Sequence, residues 1–264
     1  MTEPALPHPD NVADAARQNL AERIAANLAR LRAEHPRIHA ITGPIAYTIT
    51  ANGLIALGAN PTLTANMEEC AAFIHASSAL LLNFGMMDKE RFAVIPHAAD
   101  IAAKAGKPFV LDPAFADTSP ARHALARQVL AHAPFIMKPN RQEAEAFSCF
   151  VPESTALLVT GAQDHVRLGT REAKLANGHP YLGMMTATGC LLGAILAAMA
   201  SVESDPFHAA ISGVSILNIA AEIAAAEAQG PGTFAVRLID ALAALDEHTI
   251  EARLNVIHLH ERGE

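Results

Sequence analysis

The sequence carries no surplus of positive charge: 19 lysines and arginines face 27 acidic residues, for a formal net charge of −8. Without a basic tract a nucleic-acid surface is not expected, although a local phosphate site needs only a few donors and survives an acidic average. Paired cysteines are missing as well. Cys70, Cys149 and Cys190 are far apart, odd in number and form no CxxC, so neither a disulfide framework nor a zinc site is expected. A reduced, cytoplasmic setting follows as the expectation. The first residues carry Pro4, Pro7 and Pro9 with acidic neighbours instead of a basic, apolar leader. No uninterrupted apolar run reaches the roughly 18 residues of a membrane span, so no membrane association is expected. The glycine-rich signatures GxGxxG and GxxxxGK[ST] are absent, which removes the usual sequence signals for dinucleotide and P-loop phosphate binding.

What is present is apolar, with 51% hydrophobic residues against 17% charged, enough for a packed core. Helical spacing of Ala16, Leu20, Ile24, Leu28 and Leu31 predicts a helix opened by Asp10 after a loose tail over residues 1–10. A helix ending at Gly58 and a short strand over residues 62–64 follow, then a helix from Met67. Apolar runs ending at Asn83-x-Gly85, at Asp112-Pro113, at Lys138-Pro139-Asn140 and at Thr160-Gly161 read as buried strands separated by helices. That alternation predicts an α/β fold with a mainly parallel central sheet and helices on both faces. Residues 165–177 read as a hairpin, and helices are expected from Asp205 to about Ala228 and from Ala235 to Leu245. No repeat or linker divides the chain, so residues 1–264 are read as one domain, with residues 248–264 as a tail or an added strand.

Polar residues gather at the expected carboxyl ends of the strands, where open α/β sheets bind ligands. The stretch around which they gather is Thr186-Ala187-Thr188-Gly189-Cys190, small and hydroxyl residues directly ahead of an apolar helix over residues 191–200. The first amides of a helix lack internal partners and its dipole end is positive, so phosphate can sit there; an ordinary capped helix reads the same way. Asp112 and Glu143 could share one Mg²⁺, which takes few protein ligands, yet Asn140-x-x-Glu143 equally has the spacing of a helix cap. Lys138 alone reads as a solvated charge or a phosphate clamp, and His39 and His179, among 13 histidines, carry no catalytic signal of their own.

Taken in order, Ile41-Thr42, Thr50-Ala51-Asn52, Ala56-Leu57-Gly58-Ala59-x-Pro61, Leu82-Asn83-x-Gly85, Val110-Leu111-Asp112-Pro113, Val159-Thr160-Gly161, Ala176-Asn177-Gly178-His179-Pro180, Thr188-Gly189-Cys190 and Gly230-Pro231-Gly232-Thr233-Phe234 resemble hydroxyethylthiazole kinase of thiamine biosynthesis. The likeness covers roughly residues 20 to 247 and is specific as a set. It implies a ribokinase-like fold, a homotrimer with active sites between subunits, and Mg-ATP as donor to the primary alcohol of 4-methyl-5-(2-hydroxyethyl)thiazole. By the same resemblance, backbone amides at Ala187, Thr188, Gly189 and Cys190 form an anion hole for the transferring phosphoryl group. Cys190 stands by the substrate hydroxyl as a weak base, its pKa open to lowering by the helix end. Lys138 and Thr160 contact ATP, Asp112 and Glu143 hold magnesium, and Leu63 and Ala187 face the thiazole.

Several positions depart from the family pattern. Gly43 replaces an asparagine near the substrate, Thr62-Leu63 replaces Val-Met, and Lys138-Pro139-Asn140 stands for Arg-Gly-Asn. The loop after Pro113, a Gly-Val-Gly-Ala-Thr run in the family, brings Phe115 and Asp117, expected to obstruct and repel phosphate if the loop approaches it. The segment between Asn140 and Thr160 lacks about one helix and is expected to cover the sheet less well. Two other readings stay open on these grounds: a ribokinase-like kinase for another small alcohol such as a pyrimidine or sugar, and a non-catalytic paralogue that binds nucleotide or metabolite.

Overall fold

The computed structural model describes residues 9–261. Its centre is one nine-stranded sheet in the order β2-β1-β3-β4-β5-β6-β7-β8-β9. Strands β1 (Arg37–Ile41), β2 (Asn60–Thr62), β3 (Ala79–Asn83), β4 (Phe109–Asp112), β5 (Ile136–Met137) and β6 (Ala156–Val159) run parallel. Strands β7 (Asp164–Leu168), β8 (Arg171–Leu175) and β9 (Val256–His260) extend it antiparallel. Because side chains alternate along a strand, Val110 and Leu111, or Ile136 and Met137, enter opposite cores. The larger core lies under α1 (Pro9–Glu34), α2 (Tyr47–Leu57), α7 (Thr188–Ala200), α8 (Pro206–Glu227) and α9 (Pro231–Ala244). The smaller lies under α3 (Met67–Ala76), α4 (Lys89–Lys104), α5 (Pro120–Leu130) and α6 (Arg141–Phe147). The mainly parallel sheet with helices on both faces is the expected α/β architecture.

Several details differ from the expectations above. The first helix starts at Pro9, so Asp10 lies inside it; of the expected tail, residues 1–8 lie outside the described residues. Strand β2 lies two residues earlier than expected, and α9 begins at Pro231, whose fixed φ suits a first helical position. Of the two readings of the C-terminal stretch the added strand holds: Asp246 caps α10 (Glu247–Arg253), and β9 then pairs with β8, while residues 262–264 lie outside the described residues. Helix α8 is long and apolar enough on average to cross a bilayer, though His208, Ser212, Ser215, Asn218 and Glu222 interrupt it, and 78% of its most apolar stretch is buried inside this fold. The short crossover still covers its part of the sheet, since Phe147 of α6 is fully buried and stacks on His123 of α5.

Helix α7 is buried all round from Leu191 onward, as an apolar helix without a polar face must be. It reaches β3 closely because Gly193 has no side chain; a Cβ there would stand 2.7 Å from Leu81. This contact fixes the height of the α7 amino end above the carboxyl ends of β3 and β4.

His39 belongs to the fold and not to the site. It is fully buried on β1, its Nδ1 is 3.0 Å from the Thr62 hydroxyl, and Nε2 has no partner among the described residues. Burial lowers its pKa to about 4. The folded chain therefore binds this proton less readily than the unfolded chain, whose histidine titrates near 6.5, so stability falls as pH drops from about 6.5 toward 4. We expect His39 to remove roughly 2 kcal/mol between pH 7 and pH 5. Chemical denaturation at the two pH values checks this: His39→Asn should flatten the dependence, and an unchanged slope would assign it elsewhere.

Candidate active site

The carboxyl ends of β3 and β4 place Asn83 and Asp112 side by side, paired across the two strands. Asn83 is a buried hub. Its Nδ2 donates to Asp112 Oδ2 at 2.7 Å, while its Oδ1 accepts from the Thr42 hydroxyl at 2.8 Å and from the Gly85 amide at 2.9 Å. These partners fix the amide orientation, because a flip would set N–H against N–H. Arg91, buried below, donates to the Thr42 carbonyl and to the Tyr47 hydroxyl and so pins the end of β1. In the sequence Asn83 is a strand end with no sign of a site role; the strand order places it between Cys190 and Asp112.

Asp112 Oδ1 lies 3.2 Å from Lys138 Nζ, both side chains almost fully buried. Burial pushes the Asp112 carboxyl up, opposed by the Lys138 charge and the Asn83 hydrogen bond. A solvated reading of Lys138 is thereby excluded. The ammonium also reaches the start of α7, where a Cβ on Gly189 would stand 3.8 Å from it.

At that helix start, Ala187 occupies the N-cap with φ +71° and offers no capping side chain. A left-handed alanine costs about 1 kcal/mol, a strain located at the amino end itself. The helix begins at Thr188, three residues earlier than the apolar run suggests. Its first internal hydrogen bond is Leu191 N–H to the Ala187 carbonyl, so the amides of Thr188, Gly189 and Cys190 lie ahead of the helical ladder. Gly189 is exposed and Cys190 half-buried, whereas Thr188 is buried. The Thr188 hydroxyl donates to the Leu182 carbonyl and serves the loop, not a ligand.

Burial raises the Cys190 thiol pKa and the Asp112 charge adds to it, against the expectation that the helix end lowers it. The thiol sits 3.5 Å from Asn83 Oδ1, as a donor. Cys190→Ser is therefore expected to lower turnover by less than about tenfold, since base catalysis by a positioned group is worth about a hundredfold or more. A hundredfold loss in steady-state kinetics would restore a base role to the thiol.

Glu143 is the cap its spacing allowed. Its Oε2 accepts from the Asn140 amide and its Oε1 from the Phe115 amide, both at 2.8 Å. Burial raises its pKa, and the neighbouring Asp112 charge contributes in the same direction. Among the described residues no group of three His, Cys, Asp or Glu side chains could hold a metal ion. Each carboxylate oxygen of Asp112 and Glu143 already accepts one bond and keeps one lone pair. Two buried carboxylates that repel each other near a single lysine fit a hydrated Mg²⁺ whose remaining ligands are water and phosphate.

The altered loop does not obstruct. Phe115 takes φ +62° and points outward, 62% exposed, near Arg122, while its amide serves Glu143. Asp117 is also exposed, on a separate surface hollow, so neither side chain lines the main cleft.

That cleft, about 590 Å³, joins Lys138, Thr160, Thr188 and Gly189 to the Gly161–Asp164 turn, Asn177–Pro180 and Asn218. Of the other expected site residues, Gly43 packs on Gly85 and Met86 beside the Asn83 hub, where a Cβ would stand 2.9 Å from the Gly85 carbonyl. Leu63 is half-buried and packs against the larger core, and Ala187 is the N-cap of α7.

The model of the hydroxyethylthiazole kinase family matches residues 28–150 and 151–248. A probable hydroxyethylthiazole kinase of Agrobacterium fabrum is 38% identical over 245 residues, covering 92% of this chain and 97% of the relative. The hydroxyethylthiazole kinase of Granulibacter bethesdensis is 37% identical over 251 residues, covering 86% and 92%. Among solved structures, hydroxyethylthiazole kinase from Pyrococcus horikoshii superposes with a TM-score of 0.86 at 32% identity, over 91% of this chain and 100% of that one. A ribokinase-like protein of Enterococcus faecalis, at 10% identity and a TM-score of 0.60 over 82% and 89% of the two chains, shares the fold alone. Matched along most of its length by that family's model and by kinases of that name, the chain belongs to the hydroxyethylthiazole kinase family.

Proposed function

We propose that this chain transfers the γ-phosphoryl group of ATP to the primary alcohol of 4-methyl-5-(2-hydroxyethyl)thiazole, in thiamine biosynthesis or salvage. The observation that carries the reading is the uncapped α7 amino end facing Lys138 across the cleft. Charge spreads over the phosphoryl oxygens in the transition state, and preorganised amides with a fixed ammonium stabilise it without reorganising. Thr188, Gly189 and Cys190 supply the amides; Lys138 and Thr160 bind the ATP phosphates. Asn83 holds Asp112 and the Cys190 thiol in register, and the thiol positions the acceptor more than it deprotonates it. Asp112 and Glu143 would hold Mg²⁺ through its water shell, and the ion, when bound, neutralises phosphate charge. Gly43, Leu63 and Ala187 face the acceptor in this reading.

Ile45, Met67 and Met86 follow the carboxyl ends of β1, β2 and β3 and are 60%, 41% and 54% exposed. This apolar rim supports a homotrimer with acceptor sites between subunits. Three unpaired cysteines support the reducing cytoplasm as its compartment. The Gly43 and Leu63 departures favour one second reading, a kinase for a different small alcohol. Coupled ADP release with thiazole, pyrimidine and sugar alcohols separates the two: the thiazole should give the highest kcat/KM, and a pyrimidine or sugar exceeding it would overturn the assignment.

A further inference from the structure

Asn218 of α8 lines the cleft shared by Lys138 and Gly189, and the mechanism above leaves it unused. It is only 6% exposed. Its amide nitrogen spends both hydrogens, on Asp164 Oδ2 at 2.6 Å and on the Asn177 carbonyl at 3.0 Å. Both partners are acceptors, so the orientation of the amide is set by the network. The partners are anchored in turn. Asp164 Oδ1 accepts from the Gly161 amide at 3.1 Å. Asn177 donates to Glu222 and to the Arg253 carbonyl and accepts from the Asn255 amide.

Asn218 Oδ1 is left over. No hydrogen bond among the described residues reaches it, and it is not one of the sealed, partnerless atoms such as the Ser215 hydroxyl. It therefore keeps some accessible surface, on a residue that lines the cleft. A rigid, buried acceptor of this kind is costly to leave unpaired and calls for a donor from the ligand. Phosphate oxygens are acceptors and cannot supply one; Lys138 and the α7 amides serve them. The nucleoside half of a nucleotide does carry donors, the exocyclic amino group of adenine and the ribose hydroxyls.

We propose that Asn218 Oδ1 accepts a hydrogen bond from a neutral donor on the nucleoside half of the bound nucleotide and so helps set nucleotide preference. The inference rests on the nucleotide reading of the cleft. Calorimetric titration of the full chain with ATP, purine riboside triphosphate, 2′-deoxy-ATP and 3′-deoxy-ATP, each with magnesium, tests it. At least one analogue should bind roughly tenfold more weakly than ATP, as loss of one buried hydrogen bond predicts. The purine arm identifies the base and the deoxy arms the ribose. Asn218→Leu should bind ATP and the discriminating analogue alike. Should that variant fail to fold, having stripped Asp164 of a donor, the native protein's panel still decides. Equal binding of all four compounds by the native protein overturns the inference alone, whereas no binding of ATP overturns the nucleotide reading and the inference with it.

Discussion

Lys138→Met is expected to lower turnover by roughly two to three orders of magnitude, the scale of losing one preorganised charge from a phosphoryl-transfer site. The same change should destabilise the fold by about 3 kcal/mol, because it strands Asp112 as a buried charge without its counter-ion. The two effects are separable. Combining Lys138→Met with Asp112→Asn removes both charges of the pair and leaves a side-chain oxygen at position 112 for Asn83 to donate to. The double variant should recover most of the lost melting temperature and none of the lost turnover. Recovery of turnover with stability would make Lys138 a structural counter-ion only.

Gly189→Ala carries the second large effect and the opposite balance. The added methyl meets nothing within 4 Å except the Lys138 ammonium, so the fold has room for it. Alanine favours helix over glycine by up to about 1 kcal/mol. The melting temperature should stay level or rise, while turnover falls about a hundredfold, because the methyl takes the gap between the free amides and the ammonium where the phosphoryl group is held. Native kcat in a folded Gly189→Ala variant would place the phosphoryl group elsewhere.

Much of this was legible before any coordinates. Apolar runs that end in Asn83, Asp112, Asn140 and Thr160 identify parallel strands and the edge where they deliver polar groups, since only a buried strand is apolar on both faces. The small residues ahead of α7 announce a helix start, which reads equally as an anion site or an ordinary cap until the family resemblance favours the first. Other features depend on contacts that no local pattern contains. Asn83 becomes a hub only when β3 pairs with β4, placing it beside Asp112. The thiol of Cys190 was read from its helix position, yet burial beside Asp112 outweighs the helix end. Phe115 looked obstructive because a side chain was counted without its backbone; at φ +62° the ring turns to solvent and the amide inward. Strand β9 stays undecided between tail and added strand, because His258 and His260 on an exposed edge give no apolar alternation, and pairing with β8 settles it.

The central event is phosphoryl transfer to an alcohol in the space between the α7 amides and Lys138. A single-turnover quench with enzyme in excess over γ-labelled ATP, with and without 4-methyl-5-(2-hydroxyethyl)thiazole, measures that event directly. Label is expected in a thiazole phosphomonoester, formed only when the alcohol is present and lost in Gly189→Ala; label that stays in ATP, or appears solely as inorganic phosphate, would contradict transfer at this site.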